Sequence, residues 1–494
     1  RDGLSKLLIF SLSFTPRSRR RRRWIEHDPK DLLKSVQECI KIAVEKFVGA
    51  GNSVADIKAI GITNQRETTL AWDRVTGQPL HNALVWCDAR THDLVHLIKQ
   101  RQNYDENRLR ELCGLSVSTY FSAVKLTWLL ENIEEVGKAA QEERMLFGTV
   151  DSWLVYNLTG GISGGVHITD VTNASRTMFM NIRTLEWDPE LLKFFSVPPH
   201  CLPTLVSSSE RYGVIASGPL TGTPITGCLG DQQAALVGQK CFEPGSAKNT
   251  YGTGAFLLFN TGPEPVISTQ GLLTTVAYKL GPQKEAIYAL EGSIAVAGSA
   301  VKFLRDNLGL IKNAAEVGEL ASQVKDTGGV YFVTAFSGLF APYWRDDARG
   351  TIVGITNYTT KQHIARATLE AGCFQTRAIL DAMFKESGTR LTSLRVDGGV
   401  SNSDIAMQLQ ADVLGIDVVR PAMRETTALG AAIAAGIAVG VWNSLEDLRQ
   451  VNAEGQTTFR STLSEKGRDA RYAQWEKAVE RSYGWTDVVG EEED

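Results

Sequence analysis

The sequence predicts an α/β protein of two domains, and three observations carry that expectation. The chain has 494 residues, 43% hydrophobic and 22% charged, enough to pack more than one core. Short apolar runs of strand character alternate with stretches whose apolar residues recur at helical spacing. Glycine-rich turns follow several of those strand-like runs.

Taken in order, the first element is a helix. Leu33, Val36, Ile40, Ala43, Val44 and Phe47 mark one face, and Pro29 after Asp28 suits its first position. Beyond Gly51-Asn52, Ile57 to Ile62 reads as a strand, and Thr69 to Trp72 as another apolar run after a polar turn. Tyr120 to Leu130 and Met145 to Leu158 continue the mixture until Gly160-Gly161 marks a loop. A second region opens near Cys241, where Glu243-Pro244-Gly245 punctuates the chain, so the domains are expected at 1–241 and 242–494. Within it, Gly254 to Asn260 and Leu272 to Tyr278 read as strands, Ile294 to Asn307 and His363 to Phe384 as helices. The clearest unit is the strand Ser393 to Val396, the turn Asp397-Gly398-Gly399, and a helix with Ile405, Leu409 and Val413 on one face, stopped by Gly415.

Composition narrows the function classes. Lysine and arginine total 52 against 56 acidic residues, a formal net charge of -4, so no global field recruits nucleic acid or acidic membranes. Seven cysteines, scattered without a C-x-x-C or His/Cys cluster, suggest neither a disulfide framework nor a zinc site, and a reducing cytoplasm is the expected compartment. No apolar run approaches the roughly 20 residues of a membrane-spanning helix. The apolar run Leu7 to Phe14 precedes the basic run Arg17 to Arg23, the reverse of a secretory signal, and Val488 to Asp494 reads as a solvated acidic tail.

Three constellations can carry chemistry. Tyr251-Gly252-Thr253-Gly254 and Asp397-Gly398-Gly399 are turns at strand ends, where missing β-carbons let backbone N–H groups approach phosphate oxygens. Either alone is ordinarily just a tight turn, and no P-loop or Rossmann fingerprint is present. Asp231, in Gly230-Asp231-Gln232-Gln233 after the run Ile225 to Leu229, can accept the proton of an attacking hydroxyl while Gln232 orients it; the plainer alternative is a turn cap. Arg66 and Glu67, in Asn64-Gln65-Arg66-Glu67-Thr68, offer the donors and acceptors a small polyol needs, and Trp86 could cover its carbon face. An adjacent Arg-Glu pair is ordinarily a surface ion pair, and Trp86 and Phe256 are ordinarily core.

Together and in this order, these fragments resemble the FGGY carbohydrate kinases, and among them those acting on glycerol. The resemblance is carried by Gly61 to Thr68 with Ala83 to Trp86, Tyr120 to Leu129, Gly148 to Leu154, Gly230 to Leu236, Lys248 to Gly254, Phe336 to Trp344 and Arg395 to Gly399, and runs from about Trp24 to about Trp485. It implies two actin-like (ribonuclease H-like) ATPase domains closing on a central cleft that holds ATP with Mg2+ and the polyol. Glycerol would be bound by Arg66, Glu67, Trp86, Tyr120, Asp231, Gln232 and Phe256, with Asp231 the general base. ATP would be met by Thr253, Gly298 and Gly399, with Lys302 where many members have glutamine and Ser403, beside Asn402, where asparagine is common. A homodimer or homotetramer is expected on the same ground. The loop Gly218 to Gly222 lacks the arginine with which some bacterial members bind fructose 1,6-bisphosphate.

One departure leaves alternatives open. The family begins with a strand bearing an Asp-Gln-Gly-Thr type turn that meets metal and phosphates, and residues 1–23 hold no such turn. The expectations are therefore a glycerol kinase making sn-glycerol 3-phosphate, an impaired pseudokinase or glycerol-binding regulatory protein, or a kinase for another small polyol or a pentulose.

Overall fold

The computed structural model describes residues 24–485 and the backbone of Arg17–Ser18. The run at 7–14, the rest of the arginine run and the acidic tail at 488–494 lie outside the described residues. Helix α1 (Pro29–Gly49) starts where Asp28 accepts the Lys30 amide and Pro29 supplies a preset φ. Strand β1 (Ile60–Asn64) begins later than the apolar run at Ile57, because the Ile57 amide closes a 3-10 turn on Val54. Helices α2 (Ser122–Asn132), α3 (Val150–Leu158) and α4 (Val171–Ala174) follow, then β2 (Ser209–Val214), β3 (Pro224–Gly230) and α5 (Asp231–Gly238). Strand β1 runs parallel to β3, which pairs antiparallel with β2.

The second half is built on a seven-stranded sheet. Its strands are β4 (Ala247–Tyr251), β5 (Ala255–Gly262), β6 (Leu273–Tyr278), β7 (Ile287–Ile294), β8 (Ser393–Asp397), β9 (Asp417–Arg420) and β10 (Thr457–Phe459). They lie in the order β6-β7-β5-β4-β8-β9-β10. Between them run α6 (Gly298–Lys302), α7 (Lys361–Ser387), α8 (Asp404–Leu414) and α9 (Thr426–Ala438). The helix expected from Ile294 is corrected: Ile294 ends β7 opposite Ala255, α6 opens at Gly298, and a π-helix follows at Phe303–Asn307. Ile294-Ala295-Val296-Ala297 is apolar throughout, and a buried strand and a buried helix look alike in such a run.

Trp72 and Trp153 meet edge to face in one core, and Phe374 stacks on Trp475 in another, each pair with centroids 5.4 Å apart. All seven cysteines are free thiols. Among the described residues, no helix is long and apolar enough to cross a membrane.

Helices α5 and α9 touch backbone to backbone. A β-carbon on Gly430 would fall 1.8 Å from the Ala234 carbonyl oxygen, and one on Gly238 would fall 1.9 Å from that of Thr426. Gly430→Ala is therefore expected to destabilise the protein by about 2–3 kcal/mol through forced separation of the helices. Gly372→Ala, inside α7 with open space at the added carbon, should be neutral or slightly stabilising. Urea midpoints of the two variants against the parent check this.

Among the described residues, β1 has a strand neighbour on one side only. A cavity of about 1910 Å³ runs beside it, walled by Leu32 and Val36 of α1, Leu154 of α3 and Ala432 and Ala435 of α9, and continues past Trp86 and Tyr120 to Asp231.

Candidate active site

The end of β1 delivers Arg66 and Glu67 into the interior. They are only 3% and 1% exposed, so this is no surface pair. Glu67 holds φ at +56°, a left-handed conformation uncommon outside glycine. The end of β3 delivers Asp231 as the first residue of α5, at the positive end of that helix. Its Oδ1 accepts the Gln232 amide at 2.8 Å and lies 3.3 Å from Arg66 Nε. Among the described residues both contacts fall on Oδ1, and the side chain is 35% exposed, so Oδ2 remains unengaged. Trp86 makes edge contacts with Tyr120 and Phe256, centroids 5.6 and 6.0 Å away, and the Arg66 guanidinium lies 5.9 Å from the Phe256 ring. Trp86, Tyr120, Asp231, Gln232 and Phe256 line the one cavity, with Arg66 and Glu67 buried behind it.

That pocket is held by buried charges that sequence reasoning missed. Glu291, mid-strand in β7, takes both terminal nitrogens of Arg66, at 2.5 and 3.0 Å. Arg176, just past α4, donates from Nε to Glu67 at 2.6 Å and from Nη2 to Glu291 at 3.2 Å. Burial works to raise the Glu291 carboxyl, yet Arg176 and Arg66 hold it down at about 2. For Glu67 burial wins, and its carboxyl is raised despite Arg176 and Arg66. Lys248, on β4 and fully buried, donates to the Gln232 side-chain oxygen, to Thr250 Oγ1 at 3.0 Å and to the Phe256 carbonyl at 3.3 Å. A signal did exist: a glutamate in the otherwise apolar Ile287-Tyr288-Ala289-Leu290-Glu291 must find a partner when buried.

On the other side, three turns converge at the ends of β4, β7 and β8. The Thr253 carbonyl accepts the Ala297 and Ser299 amides, each at 3.0 Å, and the Gly252 carbonyl accepts Gly298 at 3.0 Å. Gly298 must lack a β-carbon, which would sit 2.5 Å from that carbonyl oxygen. Gly398, with φ +84°, packs against Tyr251 in the same way, while a β-carbon on Gly399 would meet open space. Thr253, Gly298 and Gly399 are thus brought to one place, with Thr253 and Gly399 exposed. Lys302 ends α6 exposed to solvent, and Ser403 spends its hydroxyl capping α8 at the Ala406 amide.

Residues 11–238 match the N-terminal domain, and residues 247–439 the C-terminal domain, of the FGGY family of carbohydrate kinases. The chain belongs to this family. Among FGGY kinases it is 52% identical over 476 residues to a glycerol kinase of Arabidopsis thaliana, covering 94% of this chain and 91% of that one. A glycerol kinase of Acidiphilium cryptum is 54% identical over 464 residues, covering 94% and 92%. The solved glycerol kinase of Plasmodium falciparum with ADP superposes with a TM-score of 0.86 at 39% identity, covering 97% of this chain and 93% of that one. A xylulose kinase of Lactobacillus acidophilus, at 21% identity and a TM-score of 0.80, shares the two-domain actin-like fold.

Within this FGGY chain, Asp151, Asp170 and Cys228 also come within reach of a common point. Their oxygens are already engaged: Asp151 accepts from Thr149 and Thr169, and Asp170 from Thr172, Asn173 and Ser208. Burial pushes the Asp170 carboxyl up to about 6. Asp170 caps α4, so that the Thr172 hydroxyl meets the Gly230 amide at 2.9 Å, next to Asp231.

Burial also pulls the Lys248 ammonium down to about 8. As pH rises through that value the lysine loses its charge, and its hold on Gln232 weakens. The KM for glycerol is expected to rise several-fold between pH 7 and 9, and the Lys248→Met variant should show a higher KM without that limb. A pH series of initial rates on both proteins measures it.

Proposed function

We infer that the chain is an ATP-dependent glycerol kinase, moving the γ-phosphoryl group of ATP to a terminal hydroxyl of glycerol to give sn-glycerol 3-phosphate and ADP. The observation that carries this is the buried Arg66-Glu67 pair set beside the half-open carboxylate of Asp231 under an aromatic wall. Donor, acceptor and base then surround a molecule with three hydroxyls and a short carbon face.

Phosphoryl transfer is mostly positioning and charge stabilisation. Arg66 and Glu67 fix two hydroxyls, Gln232 turns its amide toward the pocket because Lys248 occupies its oxygen, and Trp86, Tyr120 and Phe256 exclude water from the carbon face. Asp231 Oδ2 takes the proton as the attacking oxygen forms its bond to phosphorus. Thr253 with its hydroxyl and Gly399 with its unobstructed backbone face the nucleotide phosphates, and Gly298, its amide held by the Gly252 carbonyl, sets the turn that presents Thr253. A Mg2+ carried in on those phosphates would neutralise their charge within the cavity that Thr253 and Asp231 both line. We place the domain boundary after Cys241, between the two matched segments, and the enzyme in the cytoplasm as a homodimer or homotetramer.

Two measurements test the reading. Release of ADP from ATP-Mg should depend on glycerol and be weak with D-xylulose; dependence on xylulose instead would assign a pentulose kinase. Calorimetry with glycerol and with ATP-Mg separately should give heat from both, whereas glycerol binding without nucleotide binding or ADP release would make this a glycerol-binding pseudokinase.

A further inference from the structure

Behind the polyol pocket lies a closed set of four buried charges, two positive and two negative: Arg66, Arg176, Glu67 and Glu291. Three belong to the segment matched by the N-terminal domain, and Glu291 to the segment matched by the C-terminal one. Glu291 takes Arg66 as a two-toothed fork, and Gln233 takes a further N–H of Arg66 Nη1 at 3.3 Å. Arg66 Nε lies 3.3 Å from Asp231 Oδ1 as an ion pair, and among the described residues three of the four terminal N–H groups of Arg66 are committed, leaving one on Nη2. Arg176 occupies Oε1 of Glu67, which leaves Oε2 of Glu67 to accept. Among the described residues, Nη1 of Arg176 is buried with no acceptor, and its guanidinium carbon lies 5.4 Å from the Tyr120 ring. Arg66 and Glu67 therefore do not choose their own directions; Glu291 and Arg176 choose for them.

We propose that Glu291 and Arg176 are positioning residues for the polyol, fixing the direction of the one remaining terminal donor of Arg66 and the one remaining acceptor of Glu67, so that the pocket is complete only when the second domain supplies Glu291. The inference rests on the glycerol-kinase reading and adds to it two residues that touch the substrate's ligands and not the substrate. A fork of this kind tolerates no loss of charge, because a neutral amide on β7 leaves two cations facing one anion in a buried site.

The test is glycerol affinity by calorimetry together with steady-state kinetics, on the full chain, for Glu291→Gln, Glu291→Asp and Arg176→Lys. Glu291→Gln should weaken glycerol binding and raise its KM by about 30-fold or more, with kcat within about fivefold and the KM for ATP within about twofold. A merely structural role would lower the active fraction, and so kcat, with KM in place. Glu291→Asp keeps the charge and should recover part of the loss. Arg176→Lys, which preserves the buried charge and gives a second reading where Glu291→Gln does not fold, should raise the glycerol KM about tenfold. Unchanged glycerol affinity in Glu291→Gln or Arg176→Lys, or equal shifts for glycerol and ATP, would overturn the proposal. Parent protein that binds glycerol but transfers no phosphoryl group would count against the kinase reading alone, since the affinities still test the positioning; no glycerol binding at all would end both.

Discussion

Asp231→Asn should lower kcat by about 10³-fold or more while glycerol binds within about threefold of the parent. The asparagine keeps the shape of the side chain and an oxygen where Oδ1 stands, so the Gln232 amide and Arg66 Nε keep their partner. What it lacks is a basic oxygen in place of Oδ2. Without it the hydroxyl proton has no acceptor as the bond to phosphorus forms, and loss of a positioned base costs about 10²–10⁴-fold. Rates of ADP release at saturating glycerol, with calorimetric affinities on the same samples, separate the two effects. Turnover within tenfold of the parent would remove Asp231 from the role of base.

Arg66→Met carries the second large effect, and it strikes stability and binding together. Methionine fills the space but leaves Glu67 and Glu291 sharing Arg176 alone, two buried anions to one cation. Breaking a buried ion set by removing one partner costs about 3–5 kcal/mol, which for a protein this large is a drop in Tm on the order of 10 °C. Glycerol binding should fall at least about 100-fold. The contrast is Arg108→Met: Arg108 pairs with Glu190 at 2.6 Å, but both side chains are about half exposed, and Tm should not move. Scanning calorimetry of the two variants side by side is the measurement, and equal behaviour would mean that burial is not what gives the Arg66 set its weight.

How far the sequence revealed this site depends on which residues are asked about. α1 was legible because a proline start and helical spacing agree, and α8 because Gly415, at φ +74°, closes it. Asp231 was legible as a carboxylate at a strand end only in company with the other motifs, since alone it reads equally as a turn cap. Arg66 and Glu67 were named, yet nothing local distinguishes them from a solvated pair. Their burial is imposed by Arg176, 109 residues from Glu67, and by Glu291, 225 residues from Arg66. Periodicity reports what a segment does with its own neighbours and is silent on such distant partners. The late start of α6 has the same origin, since the pairing of Ile294 with Ala255 is decided by β5 and not by the run itself.

The glycine contact between α5 and α9 has a mechanical meaning. Gly238 and Gly430 bring main chain against main chain where α5 crosses α9, and Asp231 stands at the head of the first of these helices. A side chain larger than hydrogen at either position would wedge the helices apart, and the carboxylate carried at the head of α5 would be displaced with them.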